Sequence, residues 1–119
     1  MKQTPEIVTK GWGSEIIIHN SDLYCGKILA IKKGREGSMH FHMNKTETWY
    51  LADGLLEVVT IDPYSATETL VTLSKGETYH IPKGKTHKMI AIEDSVIFEV
   101  STFHEDSDTY RIAPGSSQK

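Results

Sequence analysis

The chain has a single cysteine, no long apolar run and no excess of basic residues. Cys25 therefore cannot close an intramolecular disulfide, and within the strand-like run LYCGKILAI we expect it to be buried as a small apolar side chain. No segment approaches the roughly 20 apolar residues of a membrane span, and the first residues lack the apolar core of a signal peptide. The formal net charge of −3 argues against binding to nucleic-acid phosphates. These absences predict a cytoplasmic protein that binds neither membrane nor nucleic acid.

A sustained helical pattern of apolar residues is also missing, and the sequence has short β-rich runs instead. Nine such runs, separated by turn residues, are SEIIIH, LYCGKILAI, SMHFH, TETWYLA, LLEVVTI, ETLVTL, ETYHI, HKMIAI and SVIFEVST. Their spacing predicts an all-β sandwich or barrel, and 119 residues predict a single domain, 1–119. Residues 1–10 are expected to form a free arm or an edge strand. The small and polar residues 113–119 are expected to form a flexible tail.

Two histidines in the middle of the chain share one face of a predicted strand. Side chains two residues apart in a strand point the same way, so His40 and His42 project together. A tight connection through MNKT would fold the next strand back and bring Glu47 within reach of both rings. His87 opens a later strand, after a proline-glycine turn. Three nitrogens and one oxygen suit a divalent transition metal better than Ca²⁺ or Mg²⁺, although these residues also fit the solvated face of a sheet.

The spacing around these four residues resembles the two signature motifs of the cupins. Every position of the first motif is matched by Gly34-x5-His40-x-His42-x4-Glu47-x6-Gly54, and the second motif is matched by Gly76-x5-Pro82-x-Gly84-x2-His87. Ala91 stands where the second motif often has asparagine, at a position that is not a metal ligand. The resemblance implies a cupin double-stranded β-helix, or jelly-roll barrel. It also implies one divalent metal, Zn, Mn, Fe or Ni, held by His40, His42, Glu47 and His87.

Residues outside the motifs resemble the sugar-phosphate cupins, in particular the mannose-6-phosphate isomerase domain that is attached to sugar-nucleotide pyrophosphorylases. The matching features are Trp12-Gly13 before the barrel, Glu99 on a late strand and Arg111 after an acidic turn. This resemblance implies a sugar or sugar phosphate as the ligand and aldose–ketose isomerisation as the reaction. An Fe(II) dioxygenase and a non-catalytic sugar-binding protein are the alternatives, since one fold hosts several chemistries.

The late strand SVIFEVST carries the preferred general base. Glu99 alternates with apolar residues there, so its face either lines the pocket or meets solvent. If it lines the pocket, Glu99 can accept the substrate proton, with His80 or Lys27 as substitutes. Trp12 and Arg111 are expected at the substrate, Arg111 as a donor to phosphate.

Several features of the surface complete the sequence-based expectations. The other basic residues in or beside loops are Arg35, Lys45, Lys85 and Lys88, and most of them are expected to be solvated. His19 and His104 lie at turns, and the sequence predicts no functional role for either. The runs SEIIIH and ILAI supply more apolar strand surface than one small barrel buries. We therefore expect a homodimer with twofold symmetry, formed through a sheet edge or an outer sheet face.

Overall fold

The structure is a computed structural model that describes residues 1–119. It contains two single-turn 3₁₀ helices, Asp106–Asp108 and Ser116–Gln118, neither of which is long or apolar enough to cross a membrane. Its eleven strands are β1 (Glu6–Lys10), β2 (Gly13–Asn20), β3 (Cys25–Ile31), β4 (Met39–Phe41), β5 (Glu47–Asp53), β6 (Leu55–Ile61), β7 (Glu68–Ser74), β8 (Thr78–Ile81), β9 (His87–Ala91), β10 (Ser95–Ser101) and β11 (Tyr110–Ala113). All nine predicted strands are present as β2 to β10.

The strands form two antiparallel sheets that pack face to face. The six-stranded sheet has the order β1-β2-β3-β10-β5-β8, and the five-stranded sheet has the order β11-β4-β9-β6-β7. The chain crosses between the sheets several times, which is the connectivity of a jelly roll. The predicted all-β jelly-roll fold is confirmed. β1 lies at the edge of the six-stranded sheet and pairs with β2 of the same chain.

Twelve apolar side chains fill the space between the sheets, and they come from strands of both. Leu51 and Ile97 belong to the first sheet, Leu56 and Val58 to the second, and all four are fully buried. The strands β3, β5, β9 and β10 alternate buried residues with more exposed ones, as half-buried strands require. Cys25 is 2% exposed and unpaired, as predicted.

The inward faces of the neighbouring strands β3 and β10 change from apolar to charged at one level, where the adjacent strand β5 carries Trp49. Ile97 of β10 pairs with Leu29 of β3 and with Leu51 of β5. Two residues further along β10, Glu99 pairs with Lys27, and both of these charged side chains are buried. The register of the sheet therefore places a charged layer directly against the apolar core.

Gly54 closes the turn between β5 and β6 and is the last residue of the first motif. Its φ of 96° lies in the left-handed region that only glycine adopts without strain. A Cβ atom here would also lie 2.3 Å from the carbonyl oxygen of Asp94. The turn can therefore be this tight only with glycine at position 54, which helps to fix the register between the strands that follow.

Residues 113–119 were expected to form a flexible tail, but in the structure they pack against the barrel. The Ser116 amide donates a hydrogen bond to the Glu36 carbonyl (2.9 Å), and the Gly11 amide donates to Ser117 Oγ (3.0 Å). A Cβ atom on Gly115 would overlap the backbone of Gly37. The small residues that suggested mobility are also the ones that allow this close approach of two backbones.

Leu56→Ala tests whether the apolar layer between the sheets carries the stability of the fold. Leu56 is fully buried, so its truncation should lower the free energy of unfolding by about 2–5 kcal/mol, measured by urea denaturation. The matched control is Leu70→Ala on β7, where the side chain is 58% exposed. That change should shift stability by about 0.5 kcal/mol or less. Equal effects of the two substitutions would contradict this description of the core.

Candidate metal centre

Three histidine rings converge at the charged end of the space between the sheets. His40 on β4 is the register partner of His87 on β9, and His42 follows directly after β4. One ring nitrogen from each lies within 4.8 Å of those of the other two. The amide of Gly84 donates a 2.6 Å hydrogen bond to the His42 carbonyl, so the turn before His87 is bonded to the strand end that carries His42.

The orientation of each ring is set by a hydrogen bond to a backbone carbonyl. The Nδ1 atoms of His40, His42 and His87 lie 2.8, 3.1 and 2.7 Å from the carbonyl oxygens of Ser38, Asp108 and Lys85 respectively. A carbonyl oxygen only accepts, so Nδ1 must carry the hydrogen and the Nε2 lone pair is left free. This is the usual outer support of a metal-binding histidine.

The three imidazoles are held in their neutral form, which is the form that binds metal. Burial, followed by the proximity of His87, lowers the pKa of His40 to about 3. Burial and the neighbouring Lys45 ammonium lower the pKa of His42 to about 4. Burial likewise lowers the pKa of His87 to about 4. All three side chains are therefore uncharged at neutral pH.

Glu47 extends this group with a buried carboxylate at the start of β5. Its Oε2 lies 3.4 Å from His42 Nε2 and its Oε1 lies 3.9 Å from His87 Nε2. Trp49 Nε1 donates a 2.7 Å hydrogen bond to Oε1. Burial and the neighbouring Glu99 carboxylate raise the pKa of Glu47 to about 7.

The site fits a divalent metal ion. Glu47 Oε2 and His87 Nε2 are buried without any hydrogen-bond partner, and leaving such atoms unpaired is costly. A metal ion bound by His40, His42, His87 and Glu47 would satisfy both. Three imidazole nitrogens and one carboxylate suit Zn, Mn, Fe or Ni.

Lys45 is buried beside this group, and the expectation that it would be solvated is wrong. The residue is 4% exposed, and its Nζ donates to Glu99 Oε2 (2.9 Å) and lies 3.4 Å from Glu47 Oε2. Burial alone would lower the pKa of Lys45, but the Glu99 and Glu47 carboxylates raise it above its ordinary value. Lys45 lies in the connection before β5, outside any strand, so no alternation in the sequence indicated that its side chain points inward.

Glu99 faces the interior, as the proposed base requires, and is 6% exposed. Burial would raise the pKa of Glu99, but Lys45 and then Lys27 lower it to about 2. Lys27 is also buried, and its Nζ lies 2.7 Å from Glu15 Oε1. Both candidates for proton transfer on β3 and β10 therefore belong to buried ion pairs.

His80 is not near the metal ligands, so its expected place as an inward-facing proton carrier is wrong. Its side chain is exposed and its Nδ1 lies 3.1 Å from Thr48 Oγ1 on the outer face of the first sheet. Ile81, the next residue, is buried in the core. Alternation along β8 therefore turns His80 outward.

A cavity of about 140 Å³ opens beside the histidines, with room for several waters or one small polar ligand. Trp12 lines it while also packing in the apolar core, and Arg111 lines it from β11, where it is the register partner of His40. Arg35, Lys85 and Lys88 are not among the lining residues.

His104, for which the sequence suggested no role, also lines the cavity. Its Nδ1 lies 3.1 Å from Lys45 Nζ, and its Nε2 lies 3.0 Å from Asp106 Oδ1. Since the ammonium can only donate, Nδ1 accepts and Nε2 carries the hydrogen. The residue follows β10 in an irregular loop, where no periodic pattern indicates the direction of a side chain.

The Cupin domain family model matches residues 27–104, more than half of the chain. The chain belongs to the cupin domain family. This agrees with the two motifs, both of which lie inside the matched range. Residues 105–119, which include β11 and the second 3₁₀ helix, lie beyond the matched range.

A curated relative and several solved structures are similar to this cupin. Mannose-1-phosphate guanylyltransferase from Salmonella muenchen is 26% identical over 82 residues, which cover 69% of this chain and 16% of the relative. This cupin thus spans about one sixth of the length of that relative. Among solved structures, oxalate decarboxylase from Bacillus subtilis has a TM-score of 0.78 at 16% identity, covering 91% of this chain and 30% of its own. The capsular polysaccharide assembling protein CapF from Staphylococcus aureus has a TM-score of 0.79 at 18% identity. The match covers 94% of this chain and 35% of the CapF chain. These structural likenesses show the fold, and the oxalate decarboxylase is described as having Mn(II) centres.

Replacing His42 or His87 by alanine tests the metal centre. Each change removes one imidazole ligand, so bound metal measured by elemental analysis should fall to a small fraction of the wild-type content. The barrel should stay folded by circular dichroism, because the apolar core is separate from the site. His80→Ala, an exposed histidine on the outer face, is the matched control and should keep its metal. Stoichiometric metal in both His42→Ala and His87→Ala would refute the assignment.

Proposed function

We propose that this cupin is a metal-dependent aldose–ketose isomerase that acts on a sugar or sugar phosphate. The observation that carries the proposal is one small cavity lined by His40, His42, Glu47 and the interior carboxylate of Glu99, with His87 completing the three-histidine group beside it. The names of two similar proteins, a mannose-1-phosphate guanylyltransferase and a capsular polysaccharide assembling protein, support a sugar-related ligand. Both are carbohydrate-related proteins, and neither name specifies isomerisation.

The balance of charge in the cavity supports an anionic ligand. Four basic and four acidic side chains line it, namely Lys10, Lys27, Lys45, Arg111, Glu15, Glu47, Glu99 and Asp106. These formal charges cancel, so a bound divalent ion would leave the cavity positive. A positive cavity attracts an anion such as a phosphorylated sugar. Arg111, with its planar set of donors on β11, is the proposed phosphate contact.

Aldose–ketose isomerisation moves one hydrogen between two adjacent carbons and a second hydrogen between the two oxygens that those carbons carry. The second hydrogen leaves the oxygen that becomes the carbonyl and goes to the oxygen that was the carbonyl. A bound divalent ion would polarise the substrate oxygens and so acidify the neighbouring C–H bond. In the proposed mechanism Glu99 accepts that proton on a carboxylate oxygen and returns it to the adjacent carbon. Lys45, whose Nζ lies 2.9 Å from Glu99 Oε2, is near enough to donate a hydrogen bond to the substrate oxygen that gains negative charge.

Glu99 is preferred over the other candidate bases because of its surroundings. It lines the cavity and is ionised, since Lys45 and Lys27 keep its pKa low, and the same two contacts make it a weaker base for as long as they persist. Lys27 is engaged with Glu15 at 2.7 Å and is the weaker candidate. His80 lies on the outer face and is withdrawn as a base.

Glu99→Gln separates metal binding from proton transfer. Glutamine keeps the shape of the side chain but does not act as a base, so turnover of an active sugar phosphate should fall about 10²–10⁴-fold with metal content unchanged. Glu68→Gln, an exposed strand glutamate on β7, is the matched control and should keep full activity. In D₂O the wild type should incorporate deuterium at the carbon next to the carbonyl. An unchanged rate in Glu99→Gln would reject Glu99 as the base.

The alternative functions give different results in the same assays. An Fe(II) dioxygenase would consume O₂ when loaded with Fe²⁺ and would be inactive without oxygen. An isomerase would act anaerobically with Mn²⁺, Zn²⁺ or Ni²⁺. A sugar-binding cupin would show ligand-induced thermal stabilisation with no product.

We also propose that two copies associate through the outer face of the six-stranded sheet. One row of side chains crosses five strands there through successive register pairs, from Ile7 through Ile16, Ile28 and Phe98 to Tyr50. At about 4.8 Å per strand the row is roughly 19 Å wide. Ile7 and Phe98 are 67% and 44% exposed, and Val100 beside them is 61% exposed. A twofold axis would lay such a row against its own copy.

Phe98→Glu tests this association. The wild type should have twice the chain mass of 13.4 kDa by light scattering at micromolar concentration. A charge at the centre of the apolar row should shift the variant to the single-chain mass, because a buried unpaired carboxylate is costly. Leu70→Glu, at an exposed apolar residue of the other sheet, is the control and should stay dimeric. A monomeric wild type would contradict the proposal.

A further inference from the structure

Asp108 is a buried acidic residue outside the cavity that neither the metal set nor the proposed reaction uses. It lies in the first 3₁₀ helix, four residues beyond the end of the family match, and is 5% exposed. Its carboxylate forms no salt bridge. Instead it accepts hydrogen bonds from three consecutive backbone amides, those of Met43 (2.9 Å), Asn44 (3.1 and 3.2 Å) and Lys45 (3.1 Å).

These three amides belong to the connection between two metal-ligand candidates. His42 precedes the connection directly, and Glu47 follows it after one residue. The connection also carries Lys45, whose ammonium contacts both Glu47 and Glu99. A carboxylate that binds successive amides fixes their path, since charge-assisted hydrogen bonds are short and strong. Asp108 therefore controls how the chain passes from His42 to Glu47.

The backbone of Asp108 contacts His42 as well. Its carbonyl oxygen lies 3.1 Å from His42 Nδ1 and accepts the hydrogen that leaves Nε2 free. One residue thus orients a ligand ring by its carbonyl and holds the following three residues by its side chain. The carbonyls that orient the other two rings belong to residues only two positions away in sequence, Ser38 for His40 and Lys85 for His87. His42 alone takes its support from a distant segment.

We propose that Asp108 is a positioning residue for the metal centre: it sets His42 and the 43–45 connection in the arrangement that binds metal. It touches neither metal nor substrate and acts through the residues it holds. The inference rests on the metal centre and not on the isomerase reaction. It follows that residues beyond the family match help to determine metal affinity.

Asp108→Asn tests this role by metal affinity. The amide keeps the size of the side chain but replaces one acceptor oxygen with a donor, which faces the amides it should bind. The dissociation constants of Mn²⁺ and Zn²⁺, measured separately by calorimetry on the metal-free protein, should rise about 10–100-fold, the usual effect of losing an outer support. Unchanged affinity for the ion that binds the wild type would overturn the proposal.

Asp62→Asn is the matched control, because Asp62 makes the same kind of contact at a remote hairpin. Its Oδ1 accepts hydrogen bonds from the amides of Tyr64 (2.8 Å) and Ser65 (3.2 Å). Loss of this turn should leave metal affinity within about twofold of the wild type, even if the urea midpoint falls. Equal weakening of metal binding by the two substitutions would show a general effect of stability and would also overturn the proposal.

Hydrogen exchange on the wild type provides a test that needs no variant to fold. Metal binding should slow exchange of the amides of Met43, Asn44 and Lys45 more than that of Tyr64 and Ser65, because only the first group is coupled to a ligand. Equal change in both groups would overturn the inference. A wild type that binds none of Mn²⁺, Zn²⁺, Fe²⁺ and Ni²⁺ would reject the metal centre and this inference together. A wild type that binds metal, loses affinity in Asp108→Asn and isomerises no sugar would support the inference and reject only the proposed function.

Discussion

The buried ammonium of Lys45 is the contact on which the charged half of the interior depends. It lies 2.9 Å from Glu99 and 3.4 Å from Glu47, two carboxylates that would otherwise repel each other inside the protein. Moving an ion out of water costs several kcal/mol, and an unpaired buried charge is strongly destabilising. Lys45 can reach this position only if the 43–45 connection passes close to the interior. The hydrogen bonds between that connection and Asp108 therefore help to hold Lys45 between the two carboxylates.

Local spacing was enough to predict an all-β sandwich or barrel, whereas the jelly roll and the full set of metal-ligand candidates came from the resemblance to the cupin motifs. Two-residue alternation placed His40 and His42 on the same side, and the short connection after them brought Glu47 within reach. Alternation alone does not say which face of a strand is inside, because that depends on the neighbouring strands. Glu99 and His80 had the same local signal, yet Glu99 faces the interior and His80 faces solvent.

The features that were missed depend on contacts between residues far apart in sequence. Lys45 meets His104 across 59 residues, and His42 meets Asp108 across 66. Neither pairing leaves a periodic trace, since His104 stands in a loop and Asp108 in a single-turn 3₁₀ helix after β10. The tail was misjudged for a related reason: its composition describes its own flexibility, whereas its position depends on backbone partners at Gly11 and Glu36. The cupin core thus follows from local strand and turn patterns, whereas the cavity of this chain depends on contacts between residues that are far apart in sequence.

The hydrogen bonds of Lys45 impose a condition on any ligand that enters the proposed active site. Lys45 Nζ donates hydrogen bonds to Glu99 (2.9 Å) and His104 (3.1 Å), and it lies 3.4 Å from the Glu47 carboxylate. A substrate oxygen that binds Lys45 competes with these groups for the N–H donors and can displace an acceptor. If that acceptor is Glu99, the carboxylate loses the contact that makes it a weak base, and substrate binding would itself prepare Glu99 to take a proton. A neutral ligand with few hydrogen-bond acceptors would compete poorly for Lys45 and would leave the ion pair between Lys45 and Glu99 intact. On this argument the buried ion pair contributes to substrate selection as well as to stability.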